Sequence, residues 1–219
     1  MSAAVPIPIT VDLVLATVAD NRLQVLLGRR AGRGFGGRRW ALPGRFLGPD
    51  DELATTAREL LADVAGGRGG QLEQLATVGP VGGVVSIAYV ALVAGAPSSR
   101  TGDRWHEVEE ILADPARLAL DHGRIIAAAA ERVRTRLEHT AAAAALCPPA
   151  FTVTRLREVY EAVWGVRLDP ANFHRKLAAA GVLEPTGDRA EGHTGRPPAL
   201  YRADPSTPIH PAIVRDNLR

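Results

Sequence analysis

At 219 residues, 46% of them hydrophobic, the chain is long enough for one large domain or two modest ones, and its net charge of +2 is too small for bulk electrostatics to argue for a polyanionic partner. No apolar run reaches the roughly 18 to 20 residues of a membrane helix, and "MSAAVPIPIT" has no basic stretch leading into an apolar core, so a cytoplasmic protein is expected. The single cysteine, Cys147, excludes an internal disulfide and a multi-cysteine zinc cluster, and it reads as a small hydrophobe.

Along the chain, "TVDLVLATVAD" from Thr10 reads as a strand, "DN" as a turn and "RLQVLLGRR" as the hairpin partner; "VVSIAYVALVAG" from Val84 reads as a further buried strand. These imply a mixed sheet that carries a loop-helix insertion. The segment "LLGRRAGRGFGGRRWALPG" brings an aromatic, a Pro-Gly turn and several arginines together, a composition suited to an anionic nucleotide; Arg29, Arg39 and Trp40 are the candidates there. Lys176 is the only lysine, so arginine abundance by itself fits a GC-rich coding sequence and is weak evidence for phosphate binding.

Residues Trp40 to Gly67 resemble the Nudix box, G-x5-E-x7-R-E-U-x-E-E-x-G-U with U aliphatic. In that family the carboxylates share one helical face and hold magnesium on the substrate's phosphates. With Arg58, Glu59 and Leu60 as the anchor, Gly44 and Asp50 stand at the first glycine and glutamate, with Asp51 as a substitute for Asp50. The later glutamate pair is Ala62 and Asp63, followed by Ala65 and Gly66 in the glycine and aliphatic positions. Alanine supplies no oxygen and aspartate is one methylene short. A weak magnesium site at Glu59 and Asp63 is the most that remains, no cofactor is required, and hydrolysis is not expected. Arg58 and Glu59 are candidates for ligand binding, and equally for a structural pair.

Between Asp121 and His139, Ile126, Ala130, Val133 and Leu137 form one stripe, with Arg124, Glu131, Arg134 and Glu138 on other faces. The stripe suits either its own domain or a second copy of the chain. The Pro-Pro after "AAAAALC" stops any helix and suggests a boundary at Pro148. Beyond it, Leu156, Val159, Tyr160 and Val163 mark a helix ended by Gly165. Asp169 caps a second helix with Pro170 at its first turn and Gly181 at its end, and a glycine-rich hairpin follows. Helix, turn, helix, hairpin is the order of parts in a winged helix-turn-helix. Its second helix would turn Phe173, Leu177 and Ala180 inward and leave Asn172, His174, Arg175 and Lys176 for DNA. Thr152 and Thr154 at the first helix, Arg189, and Arg196 between Gly195 and Pro197 complete the candidate contacts. His174 and His193 have no partner ligands at metal spacing.

Taken together, "RRWALPGRF", "VVSIAYVAL", "LALDHGRII", "FTVTRLREVYEAVWG", "NFHRKL", "GVLEPTG" and "GRPPALY" resemble the Nudix-related transcriptional regulators of the NrtR family, over Thr10 to Tyr201. The resemblance implies an α+β chain: a Nudix-like α/β/α sandwich with a mixed sheet at 8–139 including a linker helix, a linker at 140–149, a winged helix-turn-helix at 150–204 and a tail at 205–219. It also implies a homodimeric repressor of genes of NAD metabolism. Such a repressor senses ADP-ribose or a related phosphorylated metabolite without cleaving it and binds a palindromic double-stranded operator, with no membrane partner. Two departures stand out: the box is eroded, and "TVGPVGG" before Val84 is shorter than the family's usual loop. The rivals are an ADP-ribose pyrophosphatase with an accessory winged helix and an adaptor whose winged helix grips another protein.

Overall fold

The computed structural model describes residues 6–29, 39–67, 70–97, 100–191 and 197–215. The chain divides into two compact units, one built from the chain up to Ala16 and from Gln24–Ala129, the other from Thr17–Leu23 and from Ala130 onward.

Strands β1 (Ile9–Ala19) and β2 (Arg22–Arg29) form the expected hairpin, whose tip, Thr17–Leu23, is grouped with the second unit. Asp20 and Asn21 turn it with φ of 50° and 56°, the left-handed pair that matches strand twist in a two-residue loop. The remaining strands are β3 (Trp40–Ala41), β4 (Gly44–Phe46), β5 (Leu72–Val81), β6 (Val84–Leu92) and β7 (Arg104–Glu107). The sheet order is β3-β2-β1-β6-β5, with β4 paired to β1 and β7 to β2. Since β1 and β6 run parallel and β5 and β6 antiparallel, the sheet is mixed as expected. The stretch "TVGPVGG", expected as a short loop, is instead the end of β5 and a Gly82-Gly83 turn. Two register shifts, at Gln74/Ala76 and Val78/Val81, break the alternation that would have marked β5 as a strand.

Helix α1 (Leu53–Ala65) packs Ala57, Leu60, Leu61, Val64 and Ala65 on Val11, Leu13, Leu15, Leu26, Tyr89, Ala91 and Val93. Each large aliphatic buried there is worth about 1.5–3 kcal/mol. Glu52 caps the helix by accepting from the Ala54 and Thr55 N–H groups. Gly66 ends it in the left-handed region, φ 62°, so the residue at the box's aliphatic position serves as the helix stop. Helix α2 (Val108–Ala113) follows β7.

Helix α3 (His122–His139) confirms the amphipathic segment, and the division between the units falls within it. Ile126, Ala130, Val133 and Leu137 are at most 3% exposed in the single chain, so the chain itself covers the stripe and no second copy is needed for it. Residues 140–149, expected as a linker, hold a buried 3-10 helix at Ala141–Leu146, where small side chains permit close packing. Cys147 is buried beside it, and desolvation pushes its thiol up to about 12, which keeps it protonated and inert.

The second unit continues with α4 (Val153–Trp164), α5 (Pro170–Ala180) and the hairpin of β8 (Glu184–Arg189) and β9 (Ala199–Arg202). Leu156, Val159, Tyr160 and Val163 are buried as the spacing predicted. Tyr160 lies edge-on to Trp164 and Phe173, with ring centroids 4.8 and 5.2 Å apart. Its hydroxyl donates to the Leu137 carbonyl at 2.9 Å, and the Trp164 indole donates to that of Arg134. The tail at 205–215 is folded: Ala141 N–H donates to Thr207, Ile209 N–H to His139 and Ile213 N–H to Glu138. Ile213 is fully buried.

Candidate ligand cavity and nucleic-acid surface

A cavity of about 220 Å³ opens where β1, β2, β4 and the start of α3 meet, with Asp12, Arg29, Arg45 and His122 as its polar wall and Leu42, Phe46, Val84 and Leu120 as its apolar one. Asp12 is 5% exposed, an unusual position for a carboxylate, and it is held there by hydroxyl donors: Thr10 and Ser86 both donate to its Oδ2. Its Oδ1 lies 2.2 Å from where a Cβ on Gly44 would stand, so the box glycine exists to admit this carboxylate. The buried His122 accepts the Leu42 N–H at Nδ1, 2.9 Å. That bond requires the neutral imidazole with its proton on Nε2.

Of the ligand candidates, Arg29 lines this cavity and lies 4.3 Å over the Trp40 ring. Trp40 itself is 7% exposed and meets the edge of His106 on β7, so it serves as the floor under Arg29. Burial lowers the His106 pKa, helped by the nearby Arg117. Arg39 is exposed beside Trp40. Arg58 and Glu59 are exposed on α1 and are not among the cavity's lining residues; Arg58 reaches Thr55 at 3.4 Å.

Glu59 and Asp63 are engaged by guanidinium groups. Arg45 Nη1 lies 2.8 Å from Glu59 and its Nη2 3.1 Å from Asp63, while Arg100 Nη2 lies 2.9 Å from the same Asp63 oxygen. Asp51 is spent on the Gly48 N–H, 2.7 Å, and Glu52 on the helix cap. Among the described residues no group of three or more His, Cys, Asp or Glu is placed to hold a metal ion. These residues do not fit the family's magnesium cluster: two carboxylates against two arginines offer a hard cation too few free oxygens.

The second unit places its candidates with the same detail. Thr152 is the N-cap of α4, its Oγ1 accepting the Arg155 N–H at 3.1 Å, while Thr154 is exposed at the second position of the helix. On α5, Asp169 accepts the Asn172 N–H at 2.7 Å, and the Asn172 Oδ1 in turn accepts from Arg175 Nη2 at 2.8 Å. His174 and Arg175 are exposed, Asn172 and Lys176 half-buried, and Phe173 and Leu177 face the core. Arg189 donates to the Pro197 carbonyl at 2.8 Å across the hairpin. Arg196 and His193 lie outside the described residues.

Sequence reasoning missed Asp12, Arg45 and His122. A lone aspartate inside "TVDLVLATV" was the available signal for the first, because a charge in an otherwise buried strand needs a reason. No described helix is long and apolar enough to cross a membrane.

Comparison with known proteins places both halves. The NUDIX domain model matches residues 9–129 and the NrtR DNA-binding winged helix domain model matches residues 143–203. An ADPR responsive transcriptional repressor, NtrR, of Acinetobacter baylyi is 32% identical over 208 residues, 88% of this chain and 80% of its own length. The crystal structure of Shewanella oneidensis NrtR complexed with a 27mer DNA superposes with a TM-score of 0.81 at 30% identity, covering 94% of this chain and 99% of that one. A second crystal structure of Shewanella oneidensis NrtR gives 0.80 at 30% identity, over 94% of this chain and 99% of that one.

Proposed function

The chain belongs to the NrtR family, and from that premise we propose that it is a DNA-binding transcriptional regulator, a repressor of NAD biosynthesis or salvage genes, that senses ADP-ribose or a related phosphorylated metabolite. The relatives support each half of the reading: the Acinetobacter protein is ADPR responsive, and the Shewanella protein is bound to DNA. It acts in the cytoplasm as a homodimer on a palindromic operator, with no cofactor.

The observation that carries the reading is the pairing of Glu59 and Asp63 with Arg45 and Arg100. Carboxylates neutralised by arginine do not gather magnesium on a pyrophosphate, so the unit binds without cleaving. α3 is one helix that begins with a cavity residue, His122, and ends with the carbonyls that accept from Tyr160 and Trp164. We place the coupling on that element. A ligand with unequal affinity for two arrangements of the dimer shifts their populations, and operator affinity changes by the same ratio.

A gel shift on the DNA upstream of the chain's own gene, with and without ADP-ribose, tests the proposal. A sequence-specific shift that ADP-ribose alters is the expected result. The absence of any specific shift, or magnesium-dependent release of AMP that a Glu59→Gln change abolishes, would return the chain to the hydrolases.

A further inference from the structure

We propose that the Arg45 guanidinium takes the place of the metal ion of the Nudix box: it neutralises the remaining carboxylates and at the same time presents the ligand's phosphate with its donors, so that ligand binding is independent of magnesium. The inference rests on the effector reading above and assigns it a residue.

Three observations carry it. Arg45 spans both surviving carboxylates, one terminal nitrogen on each, at 2.8 and 3.1 Å. Arg45 is also among the residues that border the 220 Å³ cavity, together with Arg29, so the cation that closes the box stands next to the ligand's space. Finally, the other acids nearby are committed elsewhere, Asp51 to Gly48, Glu52 to the helix cap and Asp12 to Thr10 and Ser86.

The chemistry follows from the shape of the group. A guanidinium has five N–H donors in one plane. Using one on each terminal nitrogen for carboxylates leaves others for a phosphate oxygen, and the fork geometry suits a phosphate in two-point contact. The side chains of Arg45, Glu59 and Asp63 are 40%, 59% and 48% exposed, so their mutual ion pairs are weak and orient the guanidinium without withdrawing it from an anionic ligand. A magnesium ion in the same position would meet the positive charge of the two guanidinium groups already facing Glu59 and Asp63, and that repulsion lowers its affinity there. The asymmetry of the wall then sets the ligand's direction. The phosphate meets Arg45 and Arg29, while Asp12 repels an anion and takes hydroxyl or N–H donors from the sugar or base end.

Calorimetric titration of the full chain with ADP-ribose, once in EDTA and once in excess magnesium, tests the assignment. The wild-type dissociation constant should agree between the two conditions to within about twofold. R45A should bind roughly ten- to a hundredfold more weakly in EDTA, the loss of a charge-assisted two-point contact. R45K should fall between them, because an ammonium keeps the charge and loses the fork; it also guards against a folding defect in the alanine variant. Wild-type binding that requires magnesium, an R45A affinity equal to wild type, or no ADP-ribose binding at all would overturn the proposal. Operator gel shifts on the same samples separate this failure from the larger one. Metal-dependent ligand binding with operator regulation intact sinks only the role of Arg45, whereas a wild-type chain that ignores its operator sinks the regulator reading.

Discussion

Helices α1 and α5 are built by the same rules and left in opposite electrical states. Each starts on a carboxylate that accepts backbone N–H groups, Glu52 or Asp169, and each ends on a left-handed glycine, Gly66 or Gly181. Each buries one face and exposes charges on the other. On α1 the exposed acids Glu59 and Asp63 are met by arginines from outside the helix, Arg45 and Arg100. On α5 the exposed Arg175 is held by a neutral amide oxygen, that of Asn172, which aims the guanidinium without cancelling its charge. A helix whose charges are matched inside the chain has finished its electrostatic work; one whose cation is only oriented keeps its charge for an external anion.

The contrast is tested most strongly on α5. Arg175→Ala should weaken operator binding by about 1–3 kcal/mol, read as a gel shift at fixed salt. An unchanged shift would move the contact surface off this helix. Asn172→Ala is the companion change, since it frees the guanidinium without deleting it.

On α1 a smaller effect is expected. Glu59→Gln should alter folding stability by no more than about 1 kcal/mol in a urea melt, because the pair it breaks is solvent-exposed. A loss of several times that amount would mean that the box helix depends on the arginine clasp for its fold.

The smallest effect concerns pH. Burial, and then the charge of Arg117, holds His106 below the ordinary imidazole value of about 6.5. Between the lowered value in the folded chain and the ordinary value in the unfolded one, the unfolded chain binds more protons. Stability is therefore complete above about pH 6.5 and declines as pH falls toward the folded value. Urea midpoints at pH 7.5 and 5.5 should show this decline in the wild type and less of it in a His106→Phe variant. Equal slopes in the two would show that His106 is not the titrating group.

Much of this molecule was legible in the residues. The β1–β2 hairpin, β6, the stripe of α3 and the helix-turn-helix all follow from local signals: a two-residue turn, alternation, and apolar positions three and four apart. β5 escaped because Gly79 and Pro80 sit inside a strand whose alternation is broken twice. Residues 140–149 read as a linker and hold a buried 3-10 helix instead, since proline reports where a helix stops and says nothing about what an alanine run packs against.

For the site the division is sharper. The order of residues was enough to show a Nudix box short of its acids, because counting oxygens along a pattern needs no coordinates. It also located α5 and its bounds, because caps and stripes are local. Where Arg45 places its guanidinium was decided in three dimensions. β4 runs antiparallel to β1, with Arg45 opposite Val11, and α1 packs its apolar face on the same sheet. That packing brings a residue 14 positions upstream of Glu59 within hydrogen-bond distance of it, and 18 upstream of Asp63. Asp12 and His122, 110 positions apart by number, share one cavity for the same reason. Pairings across such separations are set by chain topology, and no spacing rule encodes them.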